Sequence, residues 1–150
     1  MGMEYLLKKM AKLIQLLLET LLDIGLLFSL CLALMGICTA VMESCTGEPC
    51  FFLGYKIVHI SSSSMEDAIG KGDLVLIREV DEIEVSPGDV IFFRRKGGYA
   101  VHRFIGIDEK RRAAGEEGYM VTKGDNNNIA DVDRLAPEDL LGKVVMNIGI

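Results

Sequence analysis

Residues 90–107 read VIFFRRKGGYAVHRFIGI, and the fold turns on how this stretch is taken. Its two arms, residues 90–94 (VIFFR) and 99–107 (YAVHRFIGI), are β-branched and aromatic runs, the composition of strands. Between them Lys96-Gly97-Gly98 is a strong turn signal. The pattern repeats outward in both directions. Residues 51–60 (FFLGYKIVHI), 73–80 (DLVLIREV), 119–123 and 141–148 are further runs of this kind. Gly70-Lys71-Gly72-Asp73, Ser86-Pro87-Gly88-Asp89 and Lys123-Gly124-Asp125-Asn126 punctuate them. Such spacing predicts a mainly β fold, a small antiparallel sheet or barrel-like domain. Helical hints are confined to residues 65–69 and 137–141, about one turn each. Residues 109–118 (EKRRAAGEEG) read as a solvated hairpin loop, and no internal repeat is visible.

Before residue 45 the chain is of another kind. Hydrophobic residues make up 50% of the 150, and mean hydropathy is +0.32 despite 25% charged residues. The apolar excess sits almost entirely in this N-terminal part. Residues 24–42 (IGLLFSLCLALMGICTAVM) carry no charge and would extend roughly 28 Å as a helix, close to the ~30 Å hydrocarbon thickness. Upstream, Glu19 and Asp23 share one helical face by their four-residue spacing. A carboxylate deep in lipid costs about 2.5 kcal/mol or more, so that stretch is expected at the interface or against a partner. A cleaved signal peptide has an apolar region of ~7–15 residues and a small-residue cleavage site, and neither feature fits. A lipoprotein site would need small residues before a cysteine, but Leu30 precedes Cys31 and Ile37 precedes Cys38. Three segments follow: 1–23 cytoplasmic or interfacial and amphipathic, 24–42 a transmembrane helix, and 43–150 a β domain. Lys8, Lys9 and Lys12 favour the N-terminus in the cytoplasm, with the β domain outside.

Composition also excludes. Net charge is -6, there is no Trp, and aromatic residues are 7%. With no basic stripe and no stacking platform, nucleic acid is not an expected partner. Of the four cysteines, Cys31 and Cys38 lie in the span and read as small apolar residues. Cys45 and Cys50 fall outside, where a local disulfide is permitted and free thiols are equally compatible. Two Cys without nearby His make a poor zinc site, and no cofactor is expected.

Ser61 to Ser64 form a run of consecutive serines leading into Met65-Glu66-Asp67-Ala68. Alone, the run is a polar turn. A serine nucleophile needs a base, itself oriented by a third group. The chain has two histidines. His59 shares a strand with the serines and reads as a packed or edge residue, whereas His102 lies on a later strand and can reach the serine turn from beside it. Acid candidates cluster in residues 123–133 (KGDNNNIADVD).

Here the chain resembles the type I signal peptidase family. Ser62-Ser63-Ser64-Met65 looks like its Ser-x-Ser-Met box, and Gly72-Asp73-Leu74-Val75 resembles the segment after it. Residues 99–103 resemble the box in which bacterial enzymes carry a lysine base and the archaeal and endoplasmic-reticulum branch carries His. Thr122-Lys123-Gly124-Asp125-Asn126-Asn127 resembles the last box, with an aspartate six residues after Asp125 at Asp131. The resemblance implies a signal-peptidase-type β domain behind one N-terminal transmembrane helix, acting as a serine endopeptidase on signal-peptide-bearing preproteins. It implies Ser64 as nucleophile, His102 as general base, Asp131 orienting the base and Asp125 as a second acid. Ser62 and the Ser64 N–H would line the oxyanion hole, with accessory membrane subunits as further partners. The compact chain, without a second span after the domain, points to an archaeal plasma membrane ahead of the endoplasmic reticulum. Two positions depart: the family usually has Gly where Ser63 stands, and Pro followed by Thr or Ala where Asp67-Ala68 stands. That departure sustains an alternative, a catalytically silent, membrane-tethered β domain binding preproteins or an active subunit.

Overall fold

The computed structural model describes residues 2–149. Met1 and Ile150, outer ends of the expected 1–23 and 43–150 segments, lie outside the described residues. The chain divides into two compact units, Met1–Cys50 and Phe51–Ile150.

The first unit is a single helix, α1 (Gly2–Thr46). Its 45 residues extend roughly 68 Å at 1.5 Å per residue, so the interfacial segment and the span expected from the sequence lie in one unbroken helix. The backbone does not break at Asp23 because strong helix formers (Leu, Met, Ala, Lys, Glu, Gln) fill both sides, and the first proline is Pro49. None of its residues is buried: Leu26 is 70% exposed and Phe28 66%. Residues 24–42 of it, uncharged around the whole circumference, call for an apolar solvent. Among the described residues, α1 is the one helix long and apolar enough to cross a membrane. It ends where Gly47 adopts a φ of 70° and its N–H bonds the Glu43 carbonyl at 2.8 Å, a left-handed cap for which glycine carries no side-chain penalty. Cys45 and Cys50 are free thiols; the Cys50 N–H donates instead to Glu43 Oε1, 3.3 Å away.

The second unit is one antiparallel sheet. In chain order its strands are β1 (Tyr55–His59), β2 (Leu74–Arg78), β3 (Val90–Arg95), β4 (Gly98–Ile107), β5 (Met120–Lys123) and β6 (Leu140–Asn147). Their spatial order is β1-β2-β6-β3-β4-β5. Each strand falls on a run anticipated from composition; β1, β2 and β5 are trimmed within it, while β3, β4 and β6 each reach one residue beyond it, to Arg95, Gly98 and Leu140. β3 lies inside the sheet and is buried on both faces. Ile91 and Phe93 join Val80, Phe104, Met120, Leu135 and Leu140 in one cluster, while Phe92 joins Ile60, Met65, Ile69, Val75 and Ile77 in another. Burial on both faces is why its sequence is continuously apolar rather than alternating. β6 pairs with β2 from Lys143 to Asn147, and at Gly142, opposite Phe92 of β3, a Cβ would stand 2.5 Å from the Arg78 carbonyl oxygen. β4, between β3 and the edge strand β5, slips register against β5 between Phe104 and Gly106.

The short elements differ from expectation. Residues 109–118 are not wholly a loop: α2 (Glu109–Ala113) forms because the Asp108 side chain caps it, accepting from the Arg111 N–H at 3.3 Å. Residues 65–69 stay a chain of turns, and residues 137–139 form a single 3-10 turn. A further 3-10 turn at Glu82–Glu84 carries no clear sequence signal.

Candidate active site

Ser64 owes its position to its neighbours. After β1 the chain is closed by the Ile60 N–H on the Asp73 carbonyl at 2.9 Å and the Gly72 N–H on the Ile60 carbonyl at 2.8 Å. Ser61, Ser62 and Ser63 are exposed, whereas Met65 is 1% exposed and seated in the second cluster. The buried Met65 side chain pins the turn, leaving Ser64 half-buried at its rim. A hydrophobic plug one residue on is what separates Ser64 physically from three similar serines.

The loop after β5 then docks on this turn. The Asn126 N–H donates to the Ser64 carbonyl at 2.9 Å, and Asn126 Nδ2 donates to the Ser63 carbonyl at 3.1 Å. The Asp125 N–H points at Met65 Sδ, 3.4 Å away. Gly124 lies so close that a Cβ there would stand 2.7 Å from the Ser64 carbonyl oxygen.

His102 stands on β4 opposite Ile91 of β3, 5% exposed, its ring edge-on to Phe93 with centroids 6.1 Å apart. Its Nε2 lies 3.1 Å from Ser64 Oγ, and its Nδ1 lies 2.6 Å from Asp131 Oδ2. An ionised carboxylate only accepts, so Nδ1 carries the ring proton and Nε2 presents its lone pair to the serine hydroxyl. Ser62 Oγ lies 3.1 Å from Ser64 Oγ on the open side. The other histidine, His59, is exposed on the edge strand β1.

The two aspartates part company. Asp131 faces His102, whereas Asp125 meets Arg103: Nε donates to Oδ1 at 2.8 Å and Nη2 to Oδ2 at 2.5 Å. Asp125, carried over as a second catalytic acid, therefore does not contact the imidazole. The reason is strand geometry. His102 and Arg103 are consecutive on β4 and point to opposite faces, so the acid that reaches one cannot reach the other. Arg103 Nη1 also donates to the Gly88 carbonyl at 2.7 Å. The bond from Asp125, against the cost of burial, holds the guanidinium above its ordinary value. Asp125 thus ties the loop that docks on the serine turn to the strand that carries the histidine.

The sequence assigned no role to several residues that build this arrangement. Thr122, 1% exposed, donates its hydroxyl to Asp131 Oδ2 at 2.6 Å. Arg134 Nη1 donates to the Asp131 carbonyl at 2.5 Å. Thr122 opens the last of the ordered boxes without a role attached to it, and Arg134 reads as an ordinary surface arginine until the fold is known.

The turn after the serine also differs from a proline-bearing one. Asp67 has a φ of 87°, whereas proline is held near −65°. The departure is therefore conformational, since a proline cannot occupy this backbone. Asp67→Pro is expected to lower Tm and to displace Ser64, while Asp67→Gly should hold or raise stability by up to about 1 kcal/mol. Thermal melts of the two variants decide it, and a Pro variant as stable as the parent would contradict the turn described.

No family model matches the chain. Among curated proteins, the chain is similar to Signal peptidase I W of Bacillus subtilis (strain 168), 36% identical over 100 residues, covering 65% of this chain and 50% of that protein. It is also similar to the signal peptidase complex catalytic subunit SEC11 of Metarhizium robertsii, 36% identical over 100 residues, covering 59% of this chain and 55% of that protein. The human signal peptidase complex catalytic subunit SEC11C is 36% identical over 77 residues, covering 50% and 38%. The chain thus spans about half the length, or less, of these relatives. The ordered boxes and the β domain behind an apolar helix thus go with similarity to signal peptidases, one a bacterial signal peptidase I and the others SEC11 catalytic subunits.

Proposed function

We propose that this chain is a membrane-tethered serine endopeptidase that removes signal peptides from secretory preproteins, with Ser64, His102 and Asp131 as its triad. The observation that carries the reading is the relay Ser64 Oγ to His102 Nε2 at 3.1 Å and His102 Nδ1 to Asp131 Oδ2 at 2.6 Å. These are the separations proton transfer needs. Ser64 Oγ attacks the scissile carbonyl while His102 Nε2 takes its proton. Asp131 holds the ring and stabilises the imidazolium. His102 then protonates the leaving amine, and water hydrolyses the acyl-enzyme by the reverse route.

The tetrahedral oxyanion needs donors. The Ser64 N–H and the Ser62 hydroxyl beside it are assigned this role, worth about 3–4 kcal/mol per donor lost. Asp125 acts through Arg103 as a positioning residue. The family resemblance implies substrates with small residues at the first and third positions before the cut. In this reading α1 is a membrane anchor, with Lys8, Lys9 and Lys12 on the cytoplasmic side and the β domain across the membrane. Enzyme and preprotein in one bilayer meet at raised effective concentration. The α1 arc holding Gln15, Glu19 and Asp23 is the face we assign to an accessory membrane subunit; Gln15 Nε2 already donates to Glu19 Oε1 at 2.9 Å.

The silent-scaffold alternative rested on the altered turn, but a triad at bonding distances favours chemistry. A fluorophosphonate probe separates the two. The expected result is covalent labelling of the full chain that Ser64→Ala abolishes and excess preprotein slows. An unlabelled chain that still binds preprotein would overturn the enzyme reading.

A further inference from the structure

Thr122 grips Asp131 at two points. Its backbone carbonyl accepts from the Asp131 N–H at 2.8 Å, and its hydroxyl donates to Asp131 Oδ2 at 2.6 Å. That Oδ2 is the oxygen facing His102 Nδ1. Asp131 itself belongs to no strand or helix, so nothing in its own backbone ladder sets the carboxylate's direction. Thr122 does belong to one: it sits on β5 opposite Phe104 of β4, two residues along the strand from His102. The same strand pair therefore presents the imidazole and the hydroxyl that meets its acid partner.

The chemistry at Thr122 is unusual for its place. β5 alternates, with Met120 and Thr122 buried, and Met120 is 0% exposed in the apolar cluster. A hydroxyl buried at such a position is costly unless bonded. Here the bond runs to a carboxylate, which accepts and does not donate, so Thr122 must be the donor. A donor on Oδ2 spreads the carboxylate charge and confines the oxygen to one direction, near the line of the Nδ1–H bond.

We propose that Thr122 is a positioning residue for the triad, acting on catalysis only through Asp131 and His102. The proposal rests on the peptidase reading. Without the hydroxyl, Asp131 rotates among orientations and the imidazole loses its fixed tautomer and aim. Valine replaces the hydroxyl with a methyl of similar size, and serine keeps the hydroxyl while dropping the methyl.

The test is preprotein cleavage by the detergent-solubilised full chain, comparing wild type, Thr122→Val, Thr122→Ser and Ser64→Ala. Thr122→Val is expected to lower kcat by about tenfold to a hundredfold, with KM within about twofold, as for loss of one hydrogen bond to a charged group. Thr122→Ser should keep most of the activity. In proton NMR the low-field His102 Nδ1–H resonance of the wild type should persist in the Ser variant and weaken or shift in the Val variant. Wild-type kcat in Thr122→Val, with Ser64→Ala inactive, would overturn this proposal alone. Equal loss in the Val and Ser variants, tracking a fall in Tm, would also overturn it, because packing rather than the hydroxyl would then be responsible. An active Ser64→Ala would instead overturn the peptidase reading beneath it.

Discussion

Ser64→Ala and His102→Ala are each expected to lower preprotein cleavage by about 10⁶-fold, and the double variant should be no worse than either alone. The non-additivity follows from the relay. With Nε2 3.1 Å from Ser64 Oγ, the imidazole has no task without the hydroxyl, and the hydroxyl remains a poor nucleophile without the imidazole. Asp131→Asn should cost about 10⁴-fold, because an amide can present its NH₂ to Nδ1 and favour the wrong tautomer. His59→Ala is the control. His59 is exposed on the edge strand, and its variant should cleave at the parental rate. Cleavage of a preprotein by the full chain in detergent, followed as single turnovers, reads all of these. Activity in Ser64→Ala within tenfold of wild type would remove Ser64 from the mechanism.

The second large effect involves no reacting group. Gly124→Ala should reduce kcat by about 10²-fold or more, since a misplacement near 1 Å can cost that much. Gly124 does not need left-handed backbone, for its φ is not among the positive ones. Its necessity is contact. An added Cβ would lie 2.7 Å from Asn127 Nδ2 and 2.7 Å from the Ser64 carbonyl oxygen. Asn127 can swing aside, but Ser64 offers backbone, held by the Asn126 N–H at 2.9 Å and anchored by buried Met65. Either the 124–127 loop lifts or the serine turn moves, and both separate Ser64 from His102. Overpacking of this kind also costs about 1–3 kcal/mol of stability. Fluorophosphonate labelling should slow in parallel with cleavage, because the attacking hydroxyl itself is displaced. A Gly124→Ala variant with the parental kcat would show that the turn tolerates the loop's movement.

Much of this was legible beforehand, for identifiable reasons. The strands stood out because each pairs turn residues with a β-branched or aromatic run, a local property of the chain. His102 stood out by scarcity and by its place on a strand. The α2 helix escaped because five residues are too few for a periodic pattern, and its stability comes from the Asp108 cap. Thr122, Arg103 and Arg134 escaped because a side chain that orients another is defined by its neighbour, and that neighbour lies elsewhere in the sequence.

The sequence by itself determined the apolar helix, the antiparallel β domain and the short list of reactive groups. These depend on residue type and short-range spacing, and burial of apolar runs follows from composition whatever the final topology. Only the tertiary structure decided which members of that list meet. Asp125 and Asp131 are equivalent as polar loop residues, and what distinguishes them is a strand's alternation. Arg103, on one face of β4, takes Asp125; His102, on the other, takes Asp131. Ser64 likewise emerged from four serines because the side chain after it is the one the core swallows. Contacts between groups 29 and 38 residues apart are set by the packing of β4 against its neighbours, which no local pattern records.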